Sequence, residues 1–132
     1  ARKGAECMKN VALSVLLVLA IIFAVPFVIY AAMSAVTGLE TPGGSPLVFL
    51  TGVLVSKTGT ALAFVLLFHV ARDSLSGHWI QYAAIWWIMF AIGEVGQAIG
   101  PDYSWQEAVA GILSETIYFP LSAYLVDWMI RP

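Results

Sequence analysis

Apolar residues run almost without interruption through four stretches, 10–33, 46–70, 79–99 and 105–130. A bilayer hydrocarbon core is crossed by about 20 apolar residues of α-helix, and each stretch is long enough. The segments between them, "SAVTGLETPGGS", "ARDSLSGH" and "GPDYS", carry the Gly, Pro, Ser and Asp of turns. Connections this short place consecutive helices side by side and antiparallel. None of the stretches alternates apolar and polar residues as a barrel strand does. The pattern predicts an all-α integral membrane protein, a four-helix transmembrane bundle forming a single domain over residues 1–132.

Composition supports that class. Of 132 residues, 61% are hydrophobic and 11% charged, against about 25% charged in soluble domains. The formal net charge of −2 argues against a nucleic-acid partner, because phosphate contacts require clustered Lys and Arg. Basic residues also set direction. Arg2, Lys3 and Lys9 precede the first stretch, Arg72 follows the second and Arg131 follows the fourth. The other two connections hold only Glu40 and Asp102, with Glu107 just inside the fourth stretch. By the positive-inside rule both termini are expected in the cytoplasm, and a prokaryotic inner (plasma) membrane is the expected location. Trp79 and Tyr82, Tyr103 and Trp105, and Tyr124 and Trp128 fall where aromatic belts form.

Lys57 breaks the apolar pattern near the middle of the second stretch. A centred lysine opposes insertion by about 2.5–3.5 kcal/mol, and each strongly apolar residue returns about 0.3–0.6 kcal/mol, so the segment still inserts. The charge then needs a partner. At 1.5 Å per residue, Lys57 lies roughly 16 Å from the outer end of its helix. Glu115, in the fourth stretch, falls at nearly the same depth, and Glu94, in the third, lies closer to the outer face. An ion pair from Lys57 to Glu115, or failing that to Glu94, is the expectation. One carboxyl is then left over; buried, it needs water, another partner or a proton.

Helical spacing groups the other polar residues. Gly111, Glu115, Tyr118 and Ser122 share one stripe, and Phe90, Glu94 and Gln97 another. Gly52, Ser56 and Thr60, and likewise Gly96 and Gly100, form small-residue patches expected to pack against neighbouring helices. The uncharged first stretch is the expected lipid-facing wall. Pro120 frees the carbonyl of Thr116 beside Glu115, which either kinks the helix for packing or opens a polar cavity. The candidate ligand-binding residues are Lys57, Glu94, Gln97, Glu115 and Tyr118, with Trp86 and Trp87 as cavity walls offering cation–π contacts.

Few other chemistries are encoded. Cys7 stands alone, so no internal disulfide or dithiol relay forms. No HExxH or CxxC is present; His69 and His78 read as boundary residues, and "GEVGQAIG" lies within a helix rather than a phosphate loop. No metal, cofactor or catalytic residue is expected. In size and number of spans the chain resembles the small multidrug transporters in outline, although the glutamate which that family carries in its first span has no counterpart here. The expected function is binding or transport of a small cationic or amphipathic solute, with proton coupling available through the spare carboxyl. The alternative is a non-catalytic structural subunit or assembly factor of a larger membrane complex. The expected partners are the lipid bilayer, a small-molecule ligand, and either further copies of the chain or such a complex.

Overall fold

The computed structural model describes residues 2–39 and 45–131. Glu40, which the sequence places in an acidic connection, lies outside them. The described residues are helical with no strand: α1 (Arg2–Thr37), α2 (Pro46–Val70), the single turn α3 (Arg72–Leu75), α4 (Trp79–Ile99) and α5 (Trp105–Met129). Four of these are long and apolar enough to cross a membrane. The apolar pattern located α2 and α4 to the residue, because Pro46 at the first helical position and Gly100 after the last are sharp boundaries.

α1 is longer than the apolar pattern indicates. Nothing in "RKGAECMKN" breaks a helix, so its polar first turns continue the rod. Its 36 residues span about 54 Å at 1.5 Å per residue, well beyond a hydrocarbon core of about 30 Å. The helix stops where Gly38 takes the left-handed φ of +72° and returns its N–H to the Ser34 carbonyl at 3.0 Å. α5 begins with a capping box: Ser104 Oγ accepts from Glu107 N at 3.1 Å, and the Glu107 carboxylate accepts from Ser104 N at 2.7 Å.

α5 is the centre of the bundle. It packs on α1 and α4, and α1 also carries α2. Contacts at the two ends establish the antiparallel run of α1 and α5. Asn10 Nδ2 donates to the Met129 carbonyl at 3.4 Å, and Tyr30 Oη donates to the Glu107 carbonyl at 3.3 Å. The end near Asn10 and Met129 also carries Lys9, Arg72 and Arg131 and is called the basic end. There Asp127, nearly fully buried, accepts from Gly77 N at 3.0 Å and ties the α3–α4 turn to α5. His69 closes α2 as a boundary residue, its carbonyl accepting from Arg72 Nη1 at 2.6 Å.

The core between α2, α4 and α5 is aromatic. Phe64 lies 4.8 Å from Tyr82, 5.3 Å from Trp86 and 5.8 Å from Phe119, centroid to centroid. Phe90 meets Phe119 edge-on at 4.9 Å, and the Tyr82 hydroxyl donates to the Phe64 carbonyl. This cluster joins α2 to α4 and α5 in the half of α2 nearer the basic end, where Ala61, Phe64, Val65 and Phe68 are buried. In the other half, residues 46–56 are exposed apart from the partly buried Val53.

Two packing expectations are corrected here. Gly52 and Ser56 are exposed, as are Gly96 and Gly100. A Cβ added at Gly52 or Gly96 meets nothing within 4 Å, and at Gly100 only the Gln97 carbonyl at 3.2 Å. Small residues favour close approach only where a neighbouring helix is present. Among the described residues no helix covers Gly52, Ser56, Gly96 or Gly100, so those patches stay open. The first helix is partly an internal wall as well as an outer one, because Ser14, Val18 and Ile22 are buried and Tyr30 reaches α5.

A candidate buried acidic site

The stripe Gly111, Glu115, Tyr118 and Ser122 on α5 is buried throughout, and residues from the other three long helices converge on it. Glu115 is 2% exposed. The carboxyl of Glu94 from α4 sits one helical turn away, against Gly111, and the buried Oε1 of Glu115 has no hydrogen-bond partner. Glu94 in turn accepts from the Tyr103 hydroxyl at 2.5 Å. Tyr103 stands in the α4–α5 connection, and its hydroxyl lies 3.4 Å from that of Tyr30 on α1. Burial first, and then hydrogen bonding to the Glu94 carboxylate, hold the Tyr103 hydroxyl far above the usual phenol range, so it stays a donor.

Gly111 makes the Glu94 position available. A Cβ at Gly111 would lie under 3.0 Å from both carboxyl oxygens and the carboxyl carbon of Glu94. The glycine is a seat: α5 presents bare backbone, and the carboxyl of α4 rests on it one helical turn from Glu115. Gly111→Ala is therefore expected to push the Glu94 carboxyl away from Glu115 and Tyr103. A helix-interior Gly→Ala change ordinarily adds about 1 kcal/mol of stability. Here that gain is expected to be cancelled by loss of a charge-assisted hydrogen bond, typically about 1.5–3 kcal/mol. Gly93→Ala, where nothing lies within 4 Å, is the control expected to be neutral or stabilising in a denaturant titration of the purified protein.

Lys57 completes the site from α2, and its partner differs from the expected one. The side chain faces the bundle interior, but Nζ donates to the Tyr118 hydroxyl at 3.4 Å and lies 5.0 Å from that ring's centroid. Among the described residues it forms no ion pair within 4.0 Å with either glutamate. Glu115 and then Glu94 act on it only through space. Lys57 stands at the border between the exposed and the buried half of α2, and Tyr118, one turn from Glu115 along α5, is the polar group it reaches. Thr58 and Thr60 turn their hydroxyls back to the Leu54 and Ser56 carbonyls and take no part.

Of the residues singled out by sequence, Lys57, Glu94, Glu115 and Tyr118 come together. Gln97 is exposed and makes no side-chain hydrogen bond among the described residues. Trp86 belongs to the aromatic core beneath the site. Trp87 donates its indole N–H to Thr116 Oγ1 at 2.9 Å and lines a separate shallow groove of about 220 Å³ with Pro120. Pro120 thus faces that apolar groove, away from Lys57, and α5 continues through it as one helix. Tyr103 was read from the sequence as an interface anchor and Tyr30 was not singled out, so neither was predicted as a site residue. A shallow recess of about 400 Å³, lined by Val48, Phe49, Gly52, Val53, Ser56 and Lys57, runs along the uncovered part of α2.

The described residues define a class: an all-helical arrangement with four membrane-length helices and a partly buried cluster of two carboxyls, three tyrosine hydroxyls and one lysine, Glu115 and Tyr118 being its buried members. Comparison with protein-family models, with curated proteins and with solved structures finds no match.

Proposed function

We propose that this chain spans the membrane four times, with both termini on the cytoplasmic side, and that it binds a small cationic or amphipathic solute at Glu94 and Glu115. Two observations support the membrane reading. Long apolar side chains such as Leu16, Phe27, Leu47, Ile92 and Leu113 are exposed along all four long helices, an arrangement that suits lipid and not water. Lys9, Arg72 and Arg131 gather at one end, as the positive-inside rule requires of the cytoplasmic face.

The observation that carries the functional reading is the approach of the half-buried Glu94 carboxyl to within one helical turn of the buried Glu115, with no cation bonded to either among the described residues. Lys57 is the only lysine or arginine along the four apolar stretches, and its hydrogen bond goes to Tyr118. A structural ion pair would have placed the amine against a carboxylate. Carboxylates left open in this way suit a soluble cation, for which Tyr118 and Tyr103 supply hydroxyls and ring faces. The recess beside Lys57 offers a route from the uncovered face of α2, and transport follows if the site opens alternately to the two sides.

The test is equilibrium binding of radiolabelled tetraethylammonium to the detergent-purified full chain. Saturable binding by the native sequence supports the reading. No binding by the native protein of tetraethylammonium, guanidinium or a single-chain alkylammonium ion rejects it. The exposed Gly52–Ser56 face favours a second reading, in which α2 docks against a further copy of the chain or another subunit. Recovery from native membranes in a stoichiometric hetero-complex, with no cation binding, is the result that would favour it.

A further inference from the structure

We infer that Glu94 and Glu115 hold one proton between them at neutral pH, so that with Lys57 charged the buried site is electrically neutral, and that this proton is the one exchanged for a monovalent cation. The first part stands on geometry alone. The second rests on the cation-binding reading above.

The Glu94 carboxyl is seated against Gly111, one helical turn before Glu115 on α5, and Glu115 is buried with neither an ion pair nor a donor to its Oε1 among the described residues. Two ionised carboxylates about 4 Å apart repel by about 4 kcal/mol at an effective dielectric of ~20. Lys57 is the one positive charge facing the pair among the described residues, and it is bonded to neither carboxyl. The groups facing the pair are the Tyr30 hydroxyl from α1, Lys57 from α2, the Tyr103 hydroxyl from the α4–α5 connection, and Tyr118 and Glu107 from α5. Lys57 is bonded to Tyr118, and the Glu107 carboxylate is turned to the Ser104 amide. Tyr103 donates to Glu94 Oε2, which makes Glu94 the better acceptor. The buried Oε1 of Glu115 has no donor of its own, so the proton sits on Glu115, facing Glu94.

Charge conservation then sets the stoichiometry. The resting site carries one negative charge on the pair and one positive charge on Lys57. A monovalent cation binding to the pair restores neutrality only if the shared proton leaves to water, which converts the pair to two carboxylates facing two cations. Two charged carboxylates with one lysine, or one with none, would leave a net charge in the low-dielectric interior, the costly state.

The proton is visible without any ligand, as the C=O stretch of a protonated carboxyl in infrared spectra of the purified protein exchanged into heavy water. The native protein is expected to show one such band that disappears in Glu94→Gln and also in Glu115→Gln, since the remaining carboxyl then ionises against Lys57. Lys57→Met is expected to double it, because neutrality then requires both carboxyls protonated. Lys57→Gln serves if the methionine variant does not fold. A native spectrum with no band sensitive to either glutamate overturns the inference. So does a band lost in one glutamine variant and kept in the other, or one unchanged when Lys57 is replaced. Proton release into weak buffer on adding tetraethylammonium, expected near one per cation bound, tests the exchange. Binding with no release overturns exchange and leaves the cation site standing, whereas absence of binding rejects the cation site and leaves the infrared result to decide the shared proton.

Discussion

Glu94→Gln and Glu115→Gln are each expected to weaken tetraethylammonium binding by roughly a hundredfold. A monovalent ion about 4 Å from a carboxylate gains about 4 kcal/mol at an effective dielectric of ~20. Part of that is opposed by Lys57, so losing one negative charge is expected to cost about 2–3 kcal/mol, and each 1.4 kcal/mol is tenfold in affinity. Glutamine keeps the shape and the hydrogen-bonding atoms, so the effect reports charge and not packing. The isotherm for each variant is to be compared with circular dichroism and gel-filtration profiles matching the native protein. Native-like affinity in both variants would remove Glu94 and Glu115 from the site. Gln97→Ala, at an exposed position on the same stretch of α4, is expected to change nothing.

The second large effect is expected in the core. Phe64→Ala should destabilise the bundle by about 2–3 kcal/mol. In water such a change carries both a transfer and a cavity contribution. For a helix already in lipid the transfer contribution largely vanishes, because acyl chains are as apolar as the core, and packing is what remains. Removing roughly 100 Å³ at about 24 cal/mol per Å³ of unfilled cavity gives this figure. Phe64 is 1% exposed and touches Tyr82, Trp86 and Phe119 at once, so the surroundings have little freedom to collapse. The measurement is reversible unfolding of the detergent-solubilised protein in a graded denaturing detergent. Leu66→Ala, two residues on and on the opposite, exposed face of α2, is the control expected to stay within about 0.5 kcal/mol. Because Phe64 holds α2 against α4 and α5, its loss should also release Lys57 from Tyr118.

The residues behind these two predictions were unequally legible in the sequence. Glu94, Glu115 and Lys57 stand out because each is a charge inside an apolar run, and helical spacing placed Tyr118 and Gly111 on the face of Glu115. The aromatic core was harder to read. Trp86 and Trp87 are adjacent and chemically alike, yet a rotation of 100° per residue sends one into the core and the other to a separate groove beside Pro120. Tyr30 and Tyr103 lie 73 positions apart, and only the antiparallel docking of α1 on α5 brings their hydroxyls together.

The four long helices, their boundaries at Pro46 and Gly100, and the gathering of Lys9, Arg72 and Arg131 at one end follow from the sequence itself. Each depends on residues close together in the chain: an apolar run, a proline, a glycine, a count of basic residues. Which groups satisfy the buried charges was decided by tertiary structure. Depth along each helix made Lys57 and Glu115 look like partners, but depth says nothing of the distance between axes. Residues 46–56 of α2 are exposed apart from Val53, and the lysine that follows them meets Tyr118 instead. Freed from that amine, the carboxyl of Glu94 settles on the bare backbone of Gly111 beside Glu115, a contact between helices that no pattern within one helix encodes.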